Sequence, residues 1–280
     1  MQKLEMSINA GIGDNLMVRV FFDSIKHNYD QIIISHNKEI IDYWKDGDPK
    51  YYQFLNEFGS MLFTTTPYVF SRCLQFPPMN LHDGAHSIKT LNLVARKPDL
   101  DHILCQGSSL NLGEEYIVIT TKIRGIERRE FFAQSIHMWR ALRELSKKYK
   151  IVILGERTVE TSKEYGNNRN IIYGIYEQII ANLPQDRVVD LTVPALGITV
   201  PNIDSIKQDC LIMKQAKFVI TLAVGGNLWL AISVANTIGF RADNGVVNNY
   251  LNDLISNTEY PSVFLTQDWS AFIKKLEMYK

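Results

Sequence analysis

The stretch INAGIGDNLMVRVFFDSIK, residues 8–26, decides the fold. An apolar strand near Lys3–Asn9 runs into Gly11 and Gly13, and a helical segment follows from about Asn15 to His27. A strand that passes through glycines straight into a helix is the opening of a βα unit. Glycines there let a backbone approach a ligand closely, and the first amides of a helix attract anions. The spacing is not GxGxxG, because Met17 and its neighbours stand at the third glycine position, and it is not GxxxxGK[ST]. Asp14 in this turn would oppose a phosphate. It suits a base or a hydroxyl-orienting group, or simply caps the helix.

The same pattern recurs along the chain. YDQIIISHN (29–37) is a short β-branched run that reads as a buried parallel strand. KEIIDYWK (38–45) and PKYYQFLNEFGSML (49–62) read as helices, and LFTTTPYVF (62–70) as strand and turn. Residues 77–98 are irregular, and LDHILCQG (100–107) is a strand or short helix. In the second half EYIVITTKIRG, KIVILGERTVE and DRVVDLTVP read as strands. The helices between them include REFFAQSIHMWRALRELSKKY (129–149), with Phe132, Ile136, Trp139, Leu142 and Leu145 at helical spacing. YGIYEQIIANLP is a helix, and NIDSIKQDCLIMKQA is one capped from Asn202 or Asp204. KFVITLAVGGNLWLAISVANTIGF reads as strand, glycine loop and helix, and QDWSAFIKKLEMYK closes the chain as a helix. Alternating strands and helices imply α/β architecture with parallel sheets. CQGSSLNLGEE (105–115) breaks the composition and reads as a linker. The expected division is 1–110, a Rossmann-like domain; 111–266, a second one; and 267–280, a terminal helix. A ligand would sit in the cleft between the halves, at the C-terminal strand ends.

Composition narrows the partners. Among 280 residues, Lys plus Arg and Asp plus Glu are 30 each, so no global field draws nucleic acid. With 46% hydrophobic and 21% charged residues, a packed core is expected. Cys73, Cys105 and Cys210 are widely spaced and form no CxxC, which reads as free thiols in a reducing compartment. MQKLEMSINAG carries Glu5 and no apolar signal region, and no apolar run is long enough for a transmembrane segment, so a cytoplasmic setting is expected.

Several strand ends carry chemistry. Lys122 and Arg124 follow the strand that ends in Thr120 and Thr121, where cations would hold phosphates; a solvated basic turn is the plain alternative. Gly155 and Glu156 follow another strand, and a carboxylate there suits ribose hydroxyls or sits in a surface turn. Gly225, Gly226 and Asn227 open a helix, a second backbone-amide anion site unless the glycines serve only tight packing. LHDGAH (81–86) places His82 and His86 four apart, but Gly84 weakens a helix and no third ligand is evident, so no metal is expected. His137 reads as structural.

With these residues, the chain resembles the ADP-heptose:lipopolysaccharide heptosyltransferase family, and more broadly glycosyltransferases of the two-Rossmann-domain GT-B fold. The resemblance implies that Asp14 of GIGDNLMV is the catalytic base on an acceptor hydroxyl, with Gly11, Gly13 and Asn15 forming the acceptor loop. It implies that Lys122 of TTKIRG holds the donor diphosphate, with Arg124, Gly225, Gly226 and Asn227. Thr121, Gly155 and either Glu156 or Glu160 would hold the nucleoside. The family's Asp-[Ser/Thr]-Gly-x-x-His loop is replaced here by Val224-Gly225-Gly226-Asn227-Leu228-Trp229, so heptose is not implied. The implied reaction is metal-independent, inverting transfer from a nucleotide-diphosphate sugar to a glycan or glycolipid. The terminal helix would cross back to the first domain. No cofactor is implied beyond the donor itself. Two other functions stay open: a nucleotide-sugar epimerase or hydrolase of the same fold, and a non-catalytic nucleotide- or glycan-binding module.

Overall fold

The computed structural model describes residues 3–8, 11–36, 49–63, 68–71, 99–120, 128–155, 169–193, 202–222, 226–240 and 263–280. In the first half β1 (Lys3–Ile8), α1 (Ile12–Ile25), β2 (Gln31–His36), α2 (Pro49–Leu62) and β3 (Tyr68–Ser71) alternate, and α3 (Asp101–Leu104) is a single turn. The second half runs β4 (Tyr116–Thr120), α4 (Arg128–Ser146), β5 (Lys150–Leu154), α5 (Arg169–Asn182), β6 (Val188–Asp190), α6 (Ile203–Gln215), β7 (Val219–Thr221), α7 (Gly226–Val234), β8 (Thr237–Phe240), β9 (Val263–Thr266) and α8 (Trp269–Glu277). KEIIDYWK, residues 77–98 and His82, Asp83 and His86 lie outside the described residues.

The strands form two sheets, ordered β1-β2-β3 and β6-β5-β4-β7-β8-β9, and every described pairing is parallel. The larger sheet grows from β4 outward in one direction through β5 and β6. It then restarts beside β4 with β7, β8 and β9. That is the doubly wound order, and its reversal between β4 and β7 opens a crevice at the C-terminal strand ends.

All five residues of β4 are buried, as a strand covered on both faces requires. Tyr116 and Val118 join one apolar cluster, and Ile117 and Ile119 join the other. The second cluster takes in α4, α5 and α8. The first takes in α6 and α7 and continues without a break through Leu16 and Phe22 of α1 to Ile32 and Ile34 of β2 and Phe54 and Phe58 of α2. Helix α1 packs directly on α7. One apolar cluster thus crosses the expected boundary at residue 110. Within it Arg19 is buried. Its Nε donates to the Leu62 carbonyl at 3.0 Å, placing a cation at the C-terminal end of α2, where the helix dipole favours it.

Residues 105–115 are strapped onto α6. The backbone N–H of Ser108 donates to Gln208 Oε1 at 2.9 Å, and Gln208 Nε2 donates to the Ser108 carbonyl at 2.7 Å. Lys207 donates to Gln106 at 2.9 Å, and Gln215 to Ser109 Oγ at 2.9 Å. Gly107 has φ +143, and a Cβ there would lie 2.3 Å from Gln208 Oε1, so only glycine fits both the backbone and the clasp. Cys210 is a buried free thiol, half-buried Cys105 donates its S–H to the Cys210 carbonyl at 3.6 Å, and Cys73 lies outside the described residues.

Several elements depart from expectation. The run NLWLAISVANTIGF is not one helix: α7 stops at Val234 and Thr237–Phe240 is β8. A continuous apolar run does not distinguish a buried helix from a buried strand. Strand β9, from Val263 to Thr266, was not expected at all. The terminal helix was expected to cross back to the first domain; the packing seen among the described residues is with the second half. It packs on α4, β8 and β9, with Trp269 stacked on Phe240 at 3.9 Å and Phe272 and Leu276 buried in the second cluster. Its apolar face at three- and four-residue spacing covers the sheet it has just left. Finally, Ile136 is 52% exposed. The core face of α4 is Met138, Ala141, Leu142 and Leu145, with Trp139 at its flank. At about 100° per residue, Ile136 lies on the opposite side from Met138 and Leu145. His137 is exposed beside it, so it does not help hold the core.

Candidate functional site

The N-terminal turn is built around Gly11. It is the N-cap of α1 with φ −170 and ψ 153, extended backbone open to any residue. A Cβ here would stand 2.6 Å from Asp14 Oδ2, so a larger residue would push that carboxylate aside. The Asp14 carboxylate is therefore folded back over Gly11, in the first turn of α1, where the helix dipole favours an anion. Asp14 and Gly11 are half-buried, and Gly13 is buried.

Asn15, expected in the acceptor loop, is fully buried. It bonds inward. Its Nδ2 donates to the Gly11 carbonyl at 2.7 Å, and its backbone N–H donates to the same oxygen at 3.2 Å. Its Oδ1 lies 3.4 Å from Nε2 of His36. His36 ends β2, in register with Ile8, the last residue of β1. Burial pushes the His36 imidazole down to about 4, partly offset by a hydrogen bond with the Asn56 side chain.

The remaining candidates belong to the larger sheet. Thr120 of β4 is in register with Leu154 of β5, and Ile119 with Ile220 of β7. The chain therefore leaves β4, β5 and β7 at one edge, on neighbouring strands about 4.8 Å apart. Thr121, Lys122, Arg124, Glu156, Glu160 and Gly225 follow those strands and lie outside the described residues. Gly226 is the first residue of α7, and Asn227, half-buried, the second. Gly155 has φ +108, a conformation that favours glycine, and its carbonyl accepts from the Val193 N–H at 3.0 Å. Thr120 and Thr221, at the ends of β4 and β7, are buried. Among the described residues no group of three or more His, Cys, Asp or Glu could hold a metal ion. Among them, too, no helix is long and apolar enough to cross a membrane.

No family model matches the chain, and no curated protein matches its sequence. Solved structures similar to it include heptosyltransferases. One is the ADP-heptose lipopolysaccharide heptosyltransferase II of E. coli, at 10% identity and TM-score 0.47, covering 100% of this chain and 98% of that one. Another is the iron-containing dodecameric glycosyltransferase TibC of enterotoxigenic E. coli, at 11% identity and TM-score 0.40. TibC with ADP-D-β-D-heptose bound gives 14% identity and TM-score 0.43. The match covers 86% of this chain and spans 58% of the TibC chain. Likenesses this loose assign neither residues nor chemistry.

Two groups at these edges escaped the sequence reading. His36 looked like one more strand residue, and nothing local links it to Asn15, 21 positions away. Asp190, the last residue of β6, accepts from Tyr176 Oη at 2.6 Å, from the Thr192 N–H at 2.9 Å and from Thr192 Oγ1 at 2.5 Å. It closes the turn that pairs Val193 with Gly155. An acid at a strand end with threonine two positions on was the available signal.

Proposed function

We propose that this protein is a glycosyltransferase of GT-B type, moving a sugar from a nucleotide-diphosphate sugar to a hydroxyl of a glycan or glycolipid. One observation carries the reading. The doubly wound sheet reverses between β4 and β7, so the Lys122 segment and the Gly225–Gly226 helix start leave adjacent strands at the same edge. A second glycine turn, bearing Asp14, opens α1, which packs on the helix that Gly226 opens. Cations and free amides beside one another suit a diphosphate, and a carboxylate on the facing element suits a proton acceptor.

The proposed step is single displacement without a metal. Asp14 takes the acceptor hydroxyl proton as that oxygen bonds to the anomeric carbon. The bond from that carbon to the diphosphate breaks, and its electron pair leaves with the nucleoside diphosphate. Lys122, Arg124 and the amides at Gly225, Gly226 and Asn227 stabilise the charge that develops there. Thr121, Gly155 and Glu156 or Glu160 hold the nucleoside. Attack opposite the leaving group inverts the configuration. The replaced acidic residue and histidine around Gly225 favour a second reading, a binding module without turnover. Thermal shift against a panel of nucleotide sugars, followed by an assay for nucleoside diphosphate released on adding glycan acceptors, separates the two. Stabilisation without release in any pairing supports the second; no stabilisation by any member of the panel overturns both.

Gly11→Ala tests the turn. Its φ of −170 accepts alanine, so stability should change by less than about 1 kcal/mol. The new Cβ would displace the Asp14 carboxylate, and a shift of this size should lower kcat at least about tenfold. Full activity in Gly11→Ala would show that the carboxylate's position is immaterial.

A further inference from the structure

Behind the N-terminal turn stands a buried imidazole that the proposed chemistry does not use. We propose that His36 is a positioning residue: through Asn15 it holds the Gly11–Asp14 turn in the shape that aims the Asp14 carboxylate. This rests on the glycosyltransferase reading for its catalytic consequence, but not for the linkage itself.

The chain of contacts is short. Asn15 Nδ2 is committed to the Gly11 carbonyl at 2.7 Å, which turns its Oδ1 toward His36 Nε2 at 3.4 Å. An amide oxygen only accepts, so the contact requires the His36 proton on Nε2. Asn15 is 0% and His36 2% exposed, so water offers neither an easy replacement. The imidazole is also fixed from a third element, because the Tyr52 ring of α2 meets it edge-on at 6.1 Å. His36 thus links the end of β2 to the start of α1 through Nε2 and to α2 through its ring. At 3.4 Å the bond is long, and the packing of α2 keeps the ring within reach of it.

The test compares His36→Phe, which keeps a ring against Tyr52 and loses the donor, with His36→Gln, whose side-chain amide restores an N–H at similar reach. His36→Phe should lower kcat at least about tenfold while KM for the nucleotide sugar stays within about twofold. His36→Gln should recover most of that loss. Hydrogen exchange at the Asn15 amide reports the linkage without reference to activity. It should quicken about tenfold in His36→Phe and little in His36→Gln, with the amides of β4 and β5 unchanged in both. If the wild type transfers no sugar, the functional reading falls and the exchange data still decide this one. Equal exchange at Asn15 in the wild type and His36→Phe overturns it, as does no difference between the two variants. Should His36→Phe not fold, nitrogen NMR of wild-type His36 decides: a proton on Nε2 supports the linkage, and a proton on Nδ1 alone overturns it.

Discussion

Asp14→Asn should lower kcat for sugar transfer by about 10²–10⁴-fold and leave nucleotide-sugar affinity within about twofold. Asparagine keeps the size of the side chain folded over Gly11 and loses its charge and its ability to take a proton. Fold effects should stay small, because a carboxylate in the first helical turn contributes only about 0.3–1 kcal/mol through the helix dipole. The donor is expected to contact the opposite glycine turn, at Gly225 and Gly226, so a loss of donor affinity in Asp14→Asn would misplace it. Turnover and donor dissociation constants, measured side by side, check both halves of the expectation. An Asp14→Asn enzyme that transfers at full rate removes Asp14 from the chemistry and leaves it as a helix-terminal carboxylate.

Acidification should reveal two groups with opposite effects on stability, buried His36 and half-buried Asp209. His36 titrates near 6.5 in an unfolded chain and is pushed down to about 4 by burial. Between those values the unfolded state binds a proton that the folded state refuses, so its contribution is intact above pH 6.5 and is lost as pH falls. Asp209, half-buried on α6, is raised from 3.8 to about 6 by burial. There the folded state holds the extra proton, so acidification relieves a cost present at neutral pH. From pH 7 to 5, His36→Gln should gain about 2 kcal/mol relative to wild type, because it no longer suffers the loss. Asp209→Asn should be more stable than wild type at pH 7 and forfeit about 1 kcal/mol of that advantage by pH 5. Urea midpoints for the three proteins at both pH values decide it. Parallel shifts in all three would mean that neither group titrates differently in the folded state.

What could be read from residues alone was whatever depends on neighbours a few positions apart. Helix α2 was read at its observed bounds, because its apolar positions recur every three or four residues. The cap of α6 was narrowed to two residues, and Asn202 is the one, accepting from the Asp204 N–H at 2.8 Å. The placement of Lys122 and Gly226 after strands followed from β-branched runs ending in polar or glycine residues. Each of these is a local preference of the chain, and local preference is written in local sequence.

Tertiary structure alone decided which surfaces meet. TIGF became a strand because β7 and β9 flank it: a Cβ at Gly239 would stand 2.3 Å from Leu265 and 3.0 Å from Thr221, so the neighbours occupy the space a side chain would need. Residues 105–115 look like a free linker by composition, and Gln208, about a hundred positions on, makes them a strap. The last helix has an apolar face either half could have covered, and Phe240 and Tyr149's cluster took it. Nothing local to the glycine turn marks Asn15 as buried; His36, arriving from β2, meets it there. Contacts of this kind join positions far apart along the chain, and their energy appears only when the core closes, so no pattern of spacing announces them.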